Sequence, residues 1–254
     1  MAASVPQALR DFFTAHPRLA LAFSGGTDSA YLLCAALDCG CDVMAYYIAS
    51  PFQPAFELED ARRLTEQLNA QMKVLPMDTL ADPVIRANPE DRCYHCKRAV
   101  FTRLTEAARA DGRTTLIDGT NVSDDAADRP GMRALQELQV LSPLRECGIT
   151  TAQVREYSRQ SGLFTWNKPA YACLATRVPA GTPLDARTLQ RVEAAETALA
   201  GLGFTDFRCR VYHAAARLQF PATQLEEAVR LRGAIRETLR PYFEIILIDT
   251  EDRG

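Results

Sequence analysis

Short apolar runs alternate with segments of helical periodicity along the first two thirds of the chain. Strands are predicted at residues 19–23, 43–48, 73–77 and 115–117, and a shorter one near Val140. Helices are predicted at residues 30–37, 55–69 and 99–110, and a fourth, capped by Thr150 or Thr151, ends at Gln160. Strands and helices that alternate at this spacing predict an α/β fold with a parallel, doubly wound sheet.

The pattern changes after Pro183. It predicts a helix at 184–202, strands at 204–213 and 216–220, a helix at 223–239 and a last strand at 243–248. This order is typical of a small α+β region rather than of a continued parallel sheet. We therefore predict two domains, residues 1–170 and residues 171–254.

The composition is that of a globular chain in a reducing compartment. The 254 residues are 47% hydrophobic, enough for one large domain and a small one. We expect a cytoplasmic protein, because no apolar run approaches the length of a membrane span and the N-terminus has no signal pattern. Eight cysteines in such a compartment predict thiols, metal ligands or catalytic groups, not a disulfide framework.

A glycine-rich turn follows the first predicted strand and consists of Ser24, Gly25, Gly26, Thr27, Asp28 and Ser29. Glycines at a strand–helix junction let backbone N–H groups approach an anion at the helix N-terminus. No lysine follows, so the turn is not a Walker loop. We predict that backbone and hydroxyl groups bind the pyrophosphate part of ATP, with Asp28 holding Mg²⁺. The alternative is a glycine-rich turn that binds nothing.

A second polar turn, from Asp118 to Asp125, follows the fourth predicted strand. It belongs to the same edge of the sheet, where open α/β sheets bind ligands. Acidic groups beside a phosphate site position Mg²⁺ or substrate hydroxyls. We predict that the turn and the residues after it bind nucleotide through Gly119, Thr120 and Asn121, and substrate through Asp124 and Arg129. The alternative is a solvated turn.

Three cysteines are candidates for sulfur or metal chemistry. Cys93 and Cys96 lie three residues apart at the start of a predicted helix, so their side chains share a face. Basic neighbours and a helix N-terminus are typical surroundings of reactive or metal-binding thiols. Cys173 lies in a proline-rich loop and offers a third sulfur, enough for a [4Fe–4S] cluster with one open iron. The alternatives are a redox pair, half of a zinc site, or one reactive thiol beside two structural ones.

Two arginines, Arg208 and Arg210, share one face of a predicted strand. Neighbouring guanidinium groups suit a phosphate. A solvated strand face has the same spacing, so both readings stay open.

Taken together, these segments resemble the LarE family of ATP-dependent sulfur transferases, within the PP-loop ATP pyrophosphatase superfamily. The resemblance covers most of the chain, and the C-L-A-T-R segment from Cys173 to Arg177 is its most diagnostic part. The other shared segments are SGGTDS, SPF, RCYHCK, DGTN, RPG, SPL, NKPAYA, VPAGT and RCRVYH. The resemblance implies an adenine nucleotide α-hydrolase-like fold for residues 1–170. It implies that residues 171–254 serve substrate binding and assembly into hexamers.

The resemblance also implies an activity. In the family, a carboxylate of a pyridinium mononucleotide is adenylated, and sulfur then replaces AMP to give a thiocarboxylate precursor of the nickel-pincer nucleotide cofactor. Asp28 and Cys173 would be the catalytic residues, and Arg177 would contact substrate. In one branch a lone cysteine at position 173 surrenders its sulfur and becomes dehydroalanine. This chain resembles the other branch, in which Cys93, Cys96 and Cys173 hold a [4Fe–4S] cluster that carries a sulfide.

The expected cofactors are therefore ATP, Mg²⁺ and the cluster, and the expected partners are a small nucleotide substrate and a sulfur donor. One departure is Gln219, where the family tends to have glutamate, so no role is transferred to it. Rival functions are a tRNA thiolase or an amide-forming ligase on the same loop, or a zinc or redox module without catalysis. A net charge of −3 and the lack of a basic run argue against tRNA.

Overall fold

The computed structural model describes residues 5–124 and 130–251, which divide into two units. The first lies within Met1–Ser50, Ala55–Met77 and Asp91–Lys168, and the second within Pro51–Pro54, Asp78–Glu90 and Pro169–Gly254. The second unit thus includes two short segments from the amino-terminal half of the chain. The assignment of residues 1–170 and 171–254 to separate roles stays a prediction.

The first unit contains a parallel sheet. Its strands are β1 (Arg18–Ala22), β2 (Asp42–Ala49), β3 (Gln71–Pro76) and β4 (Leu116–Ile117), in the order β3-β2-β1-β4. Leu141 adds a parallel bridge to Ile117, which accounts for the short run near Val140. The predicted α/β sheet is confirmed. Because β1 has a neighbour on both sides, the turn that follows it lies at the middle of the sheet's carboxyl edge.

Helices flank the strands. In chain order they are α1 (Gln7–Ala15), α2 (Thr27–Asp38), α3 (Ala55–Gln67), α4 (Pro83–Ala87), α5 (Arg92–Ala110), α6 (Pro130–Glu137), α7 (Pro143–Glu146), α8 (Thr151–Gln160), α9 (Ala186–Gly201), α10 (Ala222–Arg230) and α11 (Arg232–Leu239). Two 3₁₀ helices span Phe164–Asn167 and Leu174–Arg177. Among the helices of the described ranges, none is long and apolar enough to cross a membrane.

Helix α2 is buried on almost all sides. Leu32, Leu33 and Ala35 are fully buried, so the segment lacks the polar face of a surface helix. Cys34 belongs to this core, and burial raises the pKa of its thiol to about 11. Helix α8 supports α2 through the ring contact of Tyr157 with Tyr31. The first unit therefore holds the helix behind the glycine-rich turn rigidly.

The start of α8 follows the predicted cap. Thr150 accepts a hydrogen bond from the Gln153 backbone N–H, and the Gln153 side chain accepts one from the Thr150 N–H. This reciprocal capping box satisfies backbone donors that a helix N-terminus otherwise leaves unpaired.

The second unit contains a mixed sheet of β5 (Arg208–Tyr212), β6 (Ala215–Gln219) and β7 (Ile245–Ile248), in that order. Strands β5 and β6 are antiparallel, and β6 and β7 are parallel. The predicted α+β region is confirmed, with one correction. The helix predicted at 223–239 is two helices, because the Leu231 backbone leaves the helical region at φ −89° and ψ 13°.

Candidate functional site

The glycine-rich turn joins the end of β1 to the start of α2. Gly25 has φ +72°, and a side chain there would also press on α3, 3.1 Å from the Ala61 Cβ. The Ser24 and Ser29 hydroxyls lie 3.1 Å apart, and the Gly26 N–H donates to the Ser24 Oγ. These contacts hold the turn in a shape that presents the N-terminus of α2 to a ligand.

A cavity of about 340 Å³ opens at this turn. Its lining combines the turn, the polar turn after β4, and two further helices: Ala22, Ser24, Gly26, Asp28, Ser29, Lys97, Phe101, Asp118, Gly119, Thr120, Asp124 and Met132. The two turns that the sequence singled out separately thus share one cavity. Three predicted ligand residues do not line it, namely Gly25, Thr27 and Asn121; the Thr27 hydroxyl donates instead to the Thr165 carbonyl, 2.8 Å away.

The two turns meet at Gly119. A Cβ on this residue would lie 2.9 Å from the Ser29 nitrogen and 3.3 Å from the Asp28 Cβ. Because the clash would be with backbone, neither turn could relieve it by rotating a side chain. Glycine at position 119 is what allows the chain after β4 to contact the first turn of α2.

Asp28 is the carboxylate that this contact brings into the cavity wall. Burial raises the pKa of Asp28, and the hydrogen bond from the Asn121 Nδ2, 3.0 Å away, opposes that rise. The Asn121 Oδ1 in turn accepts from the Ser123 N–H and the Thr151 hydroxyl. Asn121 is 2% exposed, and its amide holds the Asp28 carboxylate; its predicted contact with nucleotide stays a prediction.

Asp118 begins the predicted polar turn, but the sequence prediction gave it no role of its own. Its carboxylate is buried at the end of β4 and accepts hydrogen bonds from the Thr120 and Ser142 hydroxyls at 2.5 and 2.7 Å. Ser142 belongs to the S-P-L segment. Asp118 therefore holds Thr120 at the cavity wall. It also gives a partner to the hydroxyl of Ser142, the residue after the bridge at Leu141.

Lys97 is the second omitted residue. It follows the C-x-x-C pair on α5, and its side chain lines the cavity. A Cβ at Gly131 would lie 2.6 Å from the Lys97 Cδ, so the glycine of the R-P-G segment leaves room for the lysine. A cation at the cavity thus comes from a helix other than α2. The sequence around Lys97 carries no signal that places it there.

In the second unit, Cys173 is half buried and precedes the 3₁₀ helix Leu174–Arg177. Three of the four arginines predicted to bind substrate donate to the chain around it. Arg208 donates to the Ala170 carbonyl at 2.6 Å and Arg210 to the Thr176 carbonyl at 2.7 Å. Arg177 is 1% exposed and pairs with Glu196. Arg129 lies outside the described residues.

The predicted cluster ligands are divided between the units. Cys93 and Cys96 lie in the first turn of α5, and Cys173 belongs to the second unit. Among residues 5–124 and 130–251, no group of three or more His, Cys, Asp and Glu side chains is arranged to hold a metal ion. Binding of a [4Fe–4S] cluster by these three cysteines therefore stays a prediction, and we derive no reaction step through it. All eight cysteines, each within the described ranges, are thiols.

The parallel sheet and the SGGTDS turn at its carboxyl edge define a PP-loop ATP pyrophosphatase fold. Pyridinium-3,5-bisthiocarboxylic acid mononucleotide synthase of Lactiplantibacillus plantarum is 31% identical over 250 residues, 97% of this chain and 89% of its own length. The chain belongs to the family of that synthase, the LarE family of ATP-dependent sulfurtransferases.

Other relatives fit this assignment. An uncharacterized protein of Synechocystis, slr1717, is 36% identical over 247 residues, 96% of this chain and 92% of its own length. Argininosuccinate synthase of Natronomonas pharaonis, another PP-loop protein, is 27% identical over 159 residues, 58% of this chain and 39% of its own length. No protein-family model matches the chain.

We expect Gly119→Ala to weaken ATP binding, because the added methyl group would push the N-terminus of α2 away from the turn after β4. Overpacking of this kind costs about 1–3 kcal/mol, and the free energy of unfolding should fall by that amount. Denaturant titration and calorimetric ATP binding measure the two effects.

Gly233→Ala is the matched control for this substitution. Gly233 lies in α11, where an added Cβ would have no neighbour within 4 Å and the backbone is helical. Alanine there should leave ATP binding unchanged and stabilise the helix by roughly 0.5–1 kcal/mol. Equal changes in ATP affinity and in the free energy of unfolding for the two variants would contradict the close approach at Gly119.

Proposed function

We propose that the chain adenylates a carboxylate of a pyridinium mononucleotide with ATP and then replaces AMP with sulfur, giving a thiocarboxylate. The observation that carries the proposal is the cavity that combines the glycine-rich turn, Asp28 and Lys97. The name of the L. plantarum synthase supplies the acceptor, since a bisthiocarboxylic acid mononucleotide implies a carboxylic acid precursor.

Backbone N–H groups at the start of α2 and the Lys97 ammonium would bind the β- and γ-phosphates. The Asp28 carboxylate, oriented by Asn121, would hold Mg²⁺. That ion, when bound, neutralises phosphate charge and assists the departure of pyrophosphate. A substrate carboxylate oxygen attacks the α-phosphorus, the bond from that phosphorus to the bridging oxygen breaks, and pyrophosphate leaves with the electron pair.

Cys173 is the proposed sulfur-transfer residue. Attack of its thiolate on the acyl carbon would expel AMP and leave a thioester. Removal of the Cys173 Cα proton and cleavage of its Cβ–S bond would then release the thiocarboxylate and leave dehydroalanine. In the alternative, the predicted [4Fe–4S] cluster is the source of sulfur, and Cys173 stays intact.

Location and assembly are also part of the proposal. Eight thiols suit the cytoplasm. Family resemblance implies a hexamer built through residues 171–254. The exposed apolar side chains of Ile245 and Leu247, on the edge strand β7, suit such an interface.

Binding of the substrate phosphate by Arg208, Arg210 and Arg129 stays a prediction, and so does substrate binding by Asp124.

The adenylation step is tested by ATP–pyrophosphate exchange with pyridinium-3,5-biscarboxylic acid mononucleotide. We expect exchange with this substrate and none with nicotinamide mononucleotide, which has no carboxylate. Asp28→Asn should abolish exchange because the metal-binding charge is lost. Exchange stimulated by tRNA and not by the mononucleotide would overturn the proposed acceptor.

Lys97→Ala should raise the Kd for ATP about 10- to 100-fold, since a hydrogen bond to a charged group contributes about 1.5–3 kcal/mol. Lys97→Arg should recover part of the loss. Gly131→Ala should act in the same direction with little change in stability, because only the flexible lysine side chain must move.

Lys73→Ala is the control for the lysine substitutions. Lys73 pairs with Asp111 and lies outside the cavity lining, so its removal should leave the Kd for ATP unchanged. Calorimetric titration compares all four variants. An unchanged Kd for Lys97→Ala would remove the lysine from the phosphate site.

The sulfur source is tested by a single turnover after anaerobic purification and iron reconstitution. A cluster predicts about four iron atoms per chain, lost in Cys93→Ser and Cys173→Ser, with an intact Cys173 after turnover. Cysteine sacrifice predicts an active protein without iron whose mass falls by one H₂S. Mass spectrometry and iron assay together distinguish the two sources.

A further inference from the structure

We propose that Arg177 and its buried partner Glu196 are positioning residues that hold the backbone on both sides of Cys173 for sulfur transfer. The proposal rests on the proposed function and changes the role of Arg177, which the sequence predicted to bind substrate. All residues involved belong to the second unit.

Arg177 and Glu196 form a buried bidentate ion pair. The Arg177 Nε and Nη2 lie 2.8 and 3.1 Å from the two carboxylate oxygens of Glu196, and both side chains are almost fully buried. Paired bonds between a guanidinium and a carboxylate fix orientation as well as distance. The remaining guanidinium nitrogen, Nη1, is therefore aimed in one direction only.

The Arg177 Nη1 points toward the peptide group between Ala172 and Cys173. The Arg177 Nη1 donates to the Ala172 carbonyl and to the Thr176 hydroxyl, each at 2.9 Å. The Thr176 hydroxyl itself donates to the Cys173 carbonyl at 2.8 Å, and the Thr176 N–H donates to it at 2.9 Å. Both carbonyls that flank the Cys173 side chain are thus tied, directly or through Thr176, to one guanidinium.

Glu196 connects this arrangement to the rest of the unit. Besides Arg177, its carboxylate accepts hydrogen bonds from the Cys209 backbone N–H at 2.8 Å and from the Tyr171 hydroxyl. The pair thereby joins α9, β5 and the loop that carries Cys173. Burial raises the pKa of the Cys209 thiol to about 12, so this neighbour stays protonated and does not compete as a sulfur nucleophile.

The chemistry needs such an anchor because sulfur transfer requires close alignment of the reacting atoms. A misplacement of about 1 Å can cost on the order of a hundredfold in rate. A cysteine on an untethered, proline-rich loop would not keep that alignment. Adenylation uses the cavity of the first unit and does not involve these bonds.

Two substitutions test the anchor without leaving a buried charge unpaired. Arg177→Lys keeps a cation for Glu196, but an ammonium lacks the planar fork that reaches Glu196 and Ala172 together. Thr176→Val removes the hydroxyl and keeps the side-chain shape, whereas Thr176→Ser restores the hydroxyl. Arg159→Lys is the matched control, since Arg159 makes a bidentate pair with Glu156 on the exposed surface of α8.

We expect Arg177→Lys and Thr176→Val to keep ATP–pyrophosphate exchange within about twofold of the parent protein. Thiocarboxylate formation in a single turnover should fall on the order of a hundredfold. Thr176→Ser and Arg159→Lys should retain both activities. A variant that forms thiocarboxylate at the parent rate, or that loses exchange in parallel with transfer, would overturn the positioning role.

A readout besides activity separates this inference from the proposed function. Iodoacetamide alkylation of the protein, followed by peptide mass spectrometry, gives the rate at Cys173 relative to Cys93. Loosening of the loop should raise that ratio in Arg177→Lys and Thr176→Val, even if the parent protein shows no exchange and the proposed function fails. An unchanged ratio would contradict the anchor.

Discussion

The backbone contact at Gly119 is the constraint on which the nucleotide site depends. The turn after β4 approaches the first turn of α2 so closely that a methyl group at position 119 would overlap the Ser29 nitrogen. That approach places the Asn121 amide against Asp28 and brings Thr120 to the cavity wall. Without it, the two polar turns would still follow their strands, but they would not share one cavity.

Much of the fold could be predicted because its signals are local. Strands and helices of the first unit follow the apolar runs, and the cap at Thr150 follows a short-range hydrogen-bond pattern. The error at residues 223–239 has a physical reason, since the apolar period continues across Leu231 and only the backbone angles reveal the break. Both turns of the nucleotide site were predicted for the same reason, because each directly follows a strand.

The parts of the site that sequence reasoning missed depend on contacts between distant segments. Lys97 belongs to α5, and its neighbours in the sequence do not indicate that it reaches the cavity. The tertiary fold shows this, because Gly131 leaves space for the Lys97 side chain. In the proposed function, the lysine that a Walker loop supplies from its own helix comes from a different helix. The pairing of Asp118 was missed because its partner, Ser142, lies 24 residues further along the chain. Such pairings depend on the tertiary fold, so a pattern along one segment does not predict them.

The arginines of the second unit show why residue type alone does not assign a role. Arg177 belongs to the segment that carries Cys173, and the family resemblance implied that it contacts substrate. Its partner is instead the chain's own carboxylate, Glu196, at 2.8 Å. A buried cation requires such a partner, because an unpaired charge away from water is strongly destabilising. Once Glu196 satisfies the charge, the fixed fork of the guanidinium is left to hold the peptide at Ala172. The same ion pair therefore satisfies two buried charges and, in the proposed role, sets the position of the sulfur.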